Sequence, residues 1–258
     1  VVGANKWAAS ASTQQYNQLM ETAKKHQSLW LGNTTVGAGL PINYVIADLL
    51  NSGDKITEIS GIFSGTLSWL FENYDGSAPF SRLLLNALEQ GLTEPDPRED
   101  LSGRDVQRKL LILARMAGFQ LSLEDIRCQN LVPESLRDIS KEAFFDSVTQ
   151  LDSYFFEQLE QAKQNDKCIR YIARFSVEEN NINANINLEQ LDKGDAFANL
   201  AACDNIFQIK SQWYDSNPLI VRGPGAGRDV TAGGLHSDLV NICQQLVSRT
   251  NQVKIKGV

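Results

Sequence analysis

The feature that most constrains this chain is a change of hydrophobic period at Cys168. Up to about residue 165 the apolar residues recur mostly at helical spacing. From Cys168 onward "KCIRYIARFSV", "NINANINLEQL", "IFQIKSQWY" and "PLIVRG" alternate or run apolar as strands do. A sheet built from such segments buries a face only if another layer covers it, and the preceding helical half is the available layer. An earlier segment, "KITEISGIFSG", carries the same alternation. The expected class is therefore α+β, a mixed β-sheet with helices packed on it, and 258 residues suffice for a substantial core.

The helical half divides at its punctuation. Ser12 or Thr13 starts a helix in which Tyr16, Met20 and Ala23 share a face, and Gly53 closes "INYVIADLLNSG". "TLSWLFENY" and "SAPFSRLLLNALEQG" read as helices, as do residues 104–117 and a long region near 141–165. "VV" ahead of "GANK" and "SLWLG" read as short strands, and "GPGAGRDVTAGGLHSDLVNICQQLVSRT" as a glycine loop opening an amphipathic helix.

Composition removes several functions. With 42% hydrophobic and 21% charged residues the chain is of ordinary globular type, and no apolar run approaches membrane-spanning length. A net charge of −7 speaks against nucleic acid as partner. Cys128, Cys168, Cys203 and Cys243 are too far apart for a zinc knuckle or a CxxC pair, which predicts reduced thiols and a cytoplasmic protein. His26 and His236 are the only histidines, too few for a multi-histidine metal site.

The chemistry concentrates in "GLTEPDPREDLSGRDVQRK", residues 91–109. Pro95 and Pro97 stiffen the segment that presents Glu94 and Asp96. Asp105 and Lys109 are four residues apart and share a helix face, with Ser102 as a candidate N-cap. Such a pair is either a surface ion pair or a carboxylate that orients a lysine for proton transfer. "TTVGAGLP" and "GPGAGRDVTAGG" are glycine loops, fit either for tight turns alone or for offering carbonyl oxygens to a hard cation. "GPGAG" falls one glycine short of a dinucleotide fingerprint.

Taken in order, "NTTVGAGLP", "SGIFSGTLSWLF", "GLTEPDPREDLSGRDVQRK" and "GPGAGRDVTAGG" resemble the homoserine dehydrogenase family. The resemblance runs from "ANK" at residues 4–6 to about residue 246, and is strongest to the dehydrogenase half of bifunctional aspartokinase–homoserine dehydrogenases of the methionine-branch form. It implies NAD(P)-dependent interconversion of L-aspartate 4-semialdehyde and L-homoserine. By motif, Lys109 is the implied proton donor, and Glu94 and Asp105 the implied substrate-binding residues. Lys6, Gly91 and Gly223 match cofactor-binding positions. Asn33, Val36, Ala38 and Leu40 match a Na⁺ or K⁺ site built mostly of backbone carbonyls, with Asn33 where the family usually has an acid.

The same resemblance implies a division into a remnant of a nucleotide-binding domain (1–32), a substrate-binding and catalytic region (33–167), a strand-rich dimerisation region (168–222), and a glycine loop and helix returning to the nucleotide-binding domain (223–258). No glycine-rich phosphate loop opens the sequence, so the expectation is a catalytic-domain fragment, inactive in isolation, that forms a homodimer or higher homo-oligomer. Two readings compete with it: a non-catalytic ligand-binding or regulatory module on the same fold, and a dehydrogenase of a related semialdehyde.

Overall fold

A six-stranded mixed sheet organises the computed structural model, which describes residues 1–179 and 181–255. The strands are β1 (Ile56–Ile62), β2 (Arg127–Cys128), β3 (Lys167–Glu178), β4 (Asn181–Asp192), β5 (Asp204–Ser211) and β6 (Leu219–Pro224), in the order β2-β4-β3-β1-β5-β6. Every pairing is antiparallel except β2 on β4. The expected α+β class is what the chain adopts. β1, although it precedes the strand-rich half, sits in the middle of the sheet between β3 and β5.

Alternation sorts the side chains to two faces. Ile59 of β1, Phe175 of β3 and Phe207 and Ile209 of β5 are fully buried in the main core, which the helices complete. The helices are α1 (Thr13–Lys25), which supplies no residue to that core, and α2 (Ile42–Asn51), α3 (Gly65–Asn73), α4 (Phe80–Glu89), α5 (Pro97–Leu101), α6 (Arg104–Met116), α7 (Glu134–Arg137), α8 (Lys141–Asp146) and α9 (Asp152–Gln164), which do. Phe80 stacks on Phe155 at a ring separation of 3.7 Å, with Phe71 and Tyr74 around them, so the sequence-distant α3, α4 and α9 share one aromatic nucleus. On the opposite face Ile62, Ile172 and Ile206 form a smaller cluster with Phe197 and Leu200. The rest of that face carries ion pairs, Arg174–Glu189 at 2.8 Å and Lys210–Glu58 at 3.0 Å.

Local outcomes refine the expectations. Val2 and Leu31 form a single parallel bridge in place of two short strands. Ser12 caps α1, accepting the Gln15 N–H, but no α1 side chain is fully buried. The expected long helix at 141–165 is broken, with a 3₁₀ turn at Val148–Leu151 between α8 and α9. Gly103, not Ser102, is the N-cap of α6, in the left-handed conformation at φ +71°. A Cβ there would lie 2.2 Å from Tyr171 Oη, so glycine is required by both backbone and space.

The last helix, α10 (Arg228–Ile255), packs against the 3₁₀ turn Asn33–Thr35. Its fully buried Asp238 accepts the Asn33 backbone N–H at 3.0 Å and the Tyr44 hydroxyl at 2.5 Å. Leu239, Val240, Leu246 and Val247 of α10 are exposed. Among the described residues no helix is long and apolar enough to cross a membrane, and the four cysteines are free thiols.

Candidate active site

The acidic stretch folds into two short consecutive helices. Asp96, extended ahead of Pro97, caps α5 by accepting the Arg98 N–H at 3.1 Å, and Pro97 takes the first helical position, where its missing N–H costs nothing. α6 then starts at Gly103 and carries Asp105 and Lys109 on the same face.

Lys109 Nζ stands 2.9 Å from Asp105 Oδ2 and donates to the Phe63 carbonyl at 2.6 Å. The second Asp105 oxygen faces Lys6 Nζ at 3.4 Å. The Lys109 side chain is only 11% exposed, whereas Asp105 is half exposed. Burial lowers the Lys109 pKa from the ordinary lysine value, Asp105 opposes the fall, and the Lys6 charge adds to it. For Asp105, burial works against ionisation, but the charges and hydrogen bonds of Lys109 and Lys6 outweigh it and hold the carboxyl below its usual range.

Arg115, two turns further along α6, brings Lys6 to this helix. Its guanidinium is buried and donates to the carbonyls of Ala9 (3.0 Å), Ala11 (2.8 Å) and Leu121 (2.8 Å), clamping the N-terminal segment to α6. Ser10 in turn holds the Lys6 carbonyl through both its N–H and its hydroxyl.

Glu94 is exposed on the loop before α5, and the backbone around it is pinned on two sides. Asp100 Oδ2 accepts the Glu94 N–H at 2.8 Å, and Thr66, in the first turn of α3, donates to the Leu92 carbonyl at 2.7 Å. Burial raises the Asp100 pKa and the nearby carboxylates of Glu94 and Asp105 add to the rise, while hydrogen bonds from the Glu94 N–H and Thr66 moderate it. From sequence alone Asp100 reads as helix-end charge. Its hold on the Glu94 loop appears only when the chain turns back, and its one sequence trace is its six-residue distance from Glu94.

Lys6 and Lys109 face a cleft of about 710 Å³, walled on its other sides by Gly37–Ala38 and by Gly225–Arg228 at the start of α10. Gly91 and Gly223 do not line it. Gly91 follows α4 at φ +70° on the exposed loop, and Gly223 pairs with Asn205 on β5 and leans on Leu40. Around the expected cation site, Val36 is buried and Gly37 and Ala38 both have positive φ. The buried Asn33 side-chain oxygen has no hydrogen-bond partner, a free oxygen donor of the kind a hard cation takes. A second cavity, about 330 Å³, lies among Tyr16, Met20, Trp30, Met116 and Asp238 and does not reach Lys6 or Lys109.

The arrangement is an α+β sheet domain in which a buried lysine, paired to a carboxylate, faces a glycine-walled cleft. The homoserine dehydrogenase family model matches residues 41–240, and this chain belongs to that family. It is 48% identical over 246 residues to the bifunctional aspartokinase/homoserine dehydrogenase 2 of Escherichia coli, a match that takes in 95% of this chain and 30% of that protein. It is 38% identical to the homoserine dehydrogenase of Emericella nidulans, covering 95% of this chain and 69% of the relative. The crystal structure of a homoserine dehydrogenase from Thiobacillus denitrificans shares the fold at a TM-score of 0.79 and 24% identity, over 96% of this chain and 52% of that one. The chain thus spans under a third of the bifunctional relative's length.

Proposed function

We propose that this chain carries the substrate-binding and catalytic part of an NAD(P)-dependent homoserine dehydrogenase, which interconverts L-aspartate 4-semialdehyde and L-homoserine. The observation that carries the proposal is Lys109, buried, charge-paired to Asp105 and facing the cleft in a chain of this family. Reduction of an aldehyde puts negative charge on its oxygen. An ammonium group held beside that oxygen stabilises the charge and then donates its proton. Asp105 keeps Lys109 charged and aimed, and Lys6 adds a second positive charge at the same carboxylate. Glu94, on its pinned loop, offers a carboxylate to the substrate ammonium.

The nicotinamide dinucleotide supplies the hydride when bound. The cleft suits it: Lys6, Lys109 and Arg228 provide positive charge, and the glycines at 225 and 227 let the backbone come close to a ring. Lys6, Gly91 and Gly223 are the positions assigned to cofactor binding, the two glycines approaching the cofactor from beside the cleft. A monovalent cation fits the Asn33, Val36, Ala38 and Leu40 carbonyls, with the unpartnered Asn33 oxygen as a further donor. The region divisions 1–32, 33–167, 168–222 and 223–258, assembly as a homodimer or higher homo-oligomer through the strand-rich region, and a cytoplasmic setting complete the proposal.

The test is an NAD(P)H absorbance assay on the enzyme that carries this chain. Turnover of L-homoserine with NAD or NADP is expected. Absence of turnover with both cofactors, and in both directions, overturns the proposal.

A further inference from the structure

Asn205 stands on β5 at the strand phase of Phe207 and Ile209, facing the helices, and is 0% exposed. Its amide Nδ2 donates to the Phe63 carbonyl at 3.3 Å. That carbonyl also accepts from Lys109 Nζ at 2.6 Å, so two donors from distant parts of the chain occupy one oxygen. Phe63 lies just beyond β1 and just before Ser64, the residue that caps α3. Its peptide is a junction between two elements.

The other side of Asn205 meets the cleft wall. A Cβ built on Gly225 would stand 2.1 Å from Asn205 Cγ, so the glycine loop rests directly on this amide. Stability alone does not account for an asparagine here. Its Oδ1 is buried without a hydrogen-bond partner, and an unsatisfied buried acceptor is unfavourable. An apolar side chain of similar shape would avoid that cost and keep the packing.

We propose that Asn205 is a positioning residue for Lys109: by anchoring the Phe63 carbonyl it sets the direction of the ammonium, and by supporting Gly225 it holds the opposite wall in register with it. The inference rests on Lys109 being the proton donor. An ammonium has three N–H bonds. Asp105 and the Phe63 carbonyl take two, and their positions determine where the third points. Releasing the carbonyl lets the ammonium swing, and small misplacements of a reacting group are costly in rate.

Two substitutions in the enzyme test this. Asn205→Leu keeps the branching, though it is bulkier, and removes the N–H, and Asn205→Asp keeps the shape and replaces the donor with a carboxylate. With Asn205→Leu, kcat falls about ten-fold while KM for homoserine stays within about two-fold, the pattern of a misaligned proton donor. The pH profiles move in opposite directions. Losing the carbonyl anchor weakens a contact to the charged ammonium, so Lys109 titrates lower in Asn205→Leu. The added negative charge makes it titrate higher in Asn205→Asp. The other charged groups acting on Lys109, namely Asp105, Lys6 and Asp100, and Arg228 on the same cleft wall, are unchanged in both variants. Titration of lysine-labelled protein by NMR without substrate reads the same shift independently of turnover.

Lys109→Ala serves as the control. If it retains full activity, the assignment of Lys109 fails. If it is inactive but Asn205→Leu keeps kcat within about two-fold and neither Asn205 variant moves the titration, Asn205 only packs and the positioning proposal is overturned. Should Asn205→Leu not fold, Asn205→Asp decides, and an unmoved titration there is equally fatal.

Discussion

Asp105 and Lys109 stand one helical turn apart on α6 with 2.9 Å between carboxylate and ammonium. On the role proposed for Lys109, the pair sets the working pH of the site. Burial has already lowered the Lys109 pKa, and Asp105 is the main charge opposing that fall. On the proton-donor role proposed for Lys109, aldehyde reduction needs it protonated, so the rate is expected to decline as pH rises through this lowered pKa. Homoserine oxidation needs the neutral amine and gains over the same interval. Asp105→Asn removes the opposing charge and shifts both limbs to lower pH, and Lys109→Ala lowers kcat about 10²-fold or more. Profiles of kcat against pH in the two directions check this, and limbs that stay in place with Asp105→Asn contradict it.

The Glu94 loop should control affinity more than rate. Glu94→Gln is expected to raise KM for homoserine, with a smaller loss of kcat through misalignment. Asp100→Ala removes the acceptor of the Glu94 N–H and should raise KM in the same direction while speeding amide exchange at Glu94. An unchanged KM in both variants would exclude the loop from substrate binding.

Gly103→Ala tests the start of α6. The new methyl group would meet Tyr171 Oη at 2.2 Å and Cys128 Sγ at 2.7 Å, on a backbone at φ +71°. A loss of about 2 kcal/mol or more is expected from the clash and the left-handed strain together. Urea denaturation measures it. A neutral substitution would mean that the helix start can relax.

Arg115→Met keeps much of the aliphatic packing but removes the clamp on Ala9, Ala11 and Leu121. Leaving several carbonyls without their donor should destabilise the protein by about 3 kcal/mol. Limited proteolysis should then cut first within residues 1–13, because those residues lose their tie to α6. Protection equal to the parent's would show that the clamp is redundant.

Sequence patterns revealed what is local. The four-residue step from Asp105 to Lys109 places both on one helix face whatever the rest of the chain does, and the ion pair formed as expected. The alternation of β3, β4 and β5 identified the sheet, while the central place of β1 depended on pairing with strands far along the chain. Lys6 is distant from Asp105 in sequence, and the Arg115 clamp helps to bring it close. The helical pattern at 141–165 concealed the break at Val148–Leu151, because a 3₁₀ turn keeps nearly the same spacing as an α-helix. Asn205 left a trace that is easy to pass over: a polar residue at the inward phase of a strand whose next two inward positions are Phe207 and Ile209.

The central position of β1 has a consequence for the order of assembly. Both its neighbours, β3 and β5, emerge roughly a hundred residues or more after it during synthesis. Until then its two edges carry unpaired backbone groups, the condition that invites wrong partners. Pairings across such separations are slow compared with the formation of the intervening helices. Phe63, immediately after β1, is therefore expected to settle only when the sheet closes, and with it the carbonyl that Lys109 bonds. On the role proposed for Lys109, recovery of activity after dilution from denaturant should then lag behind the return of helical signal.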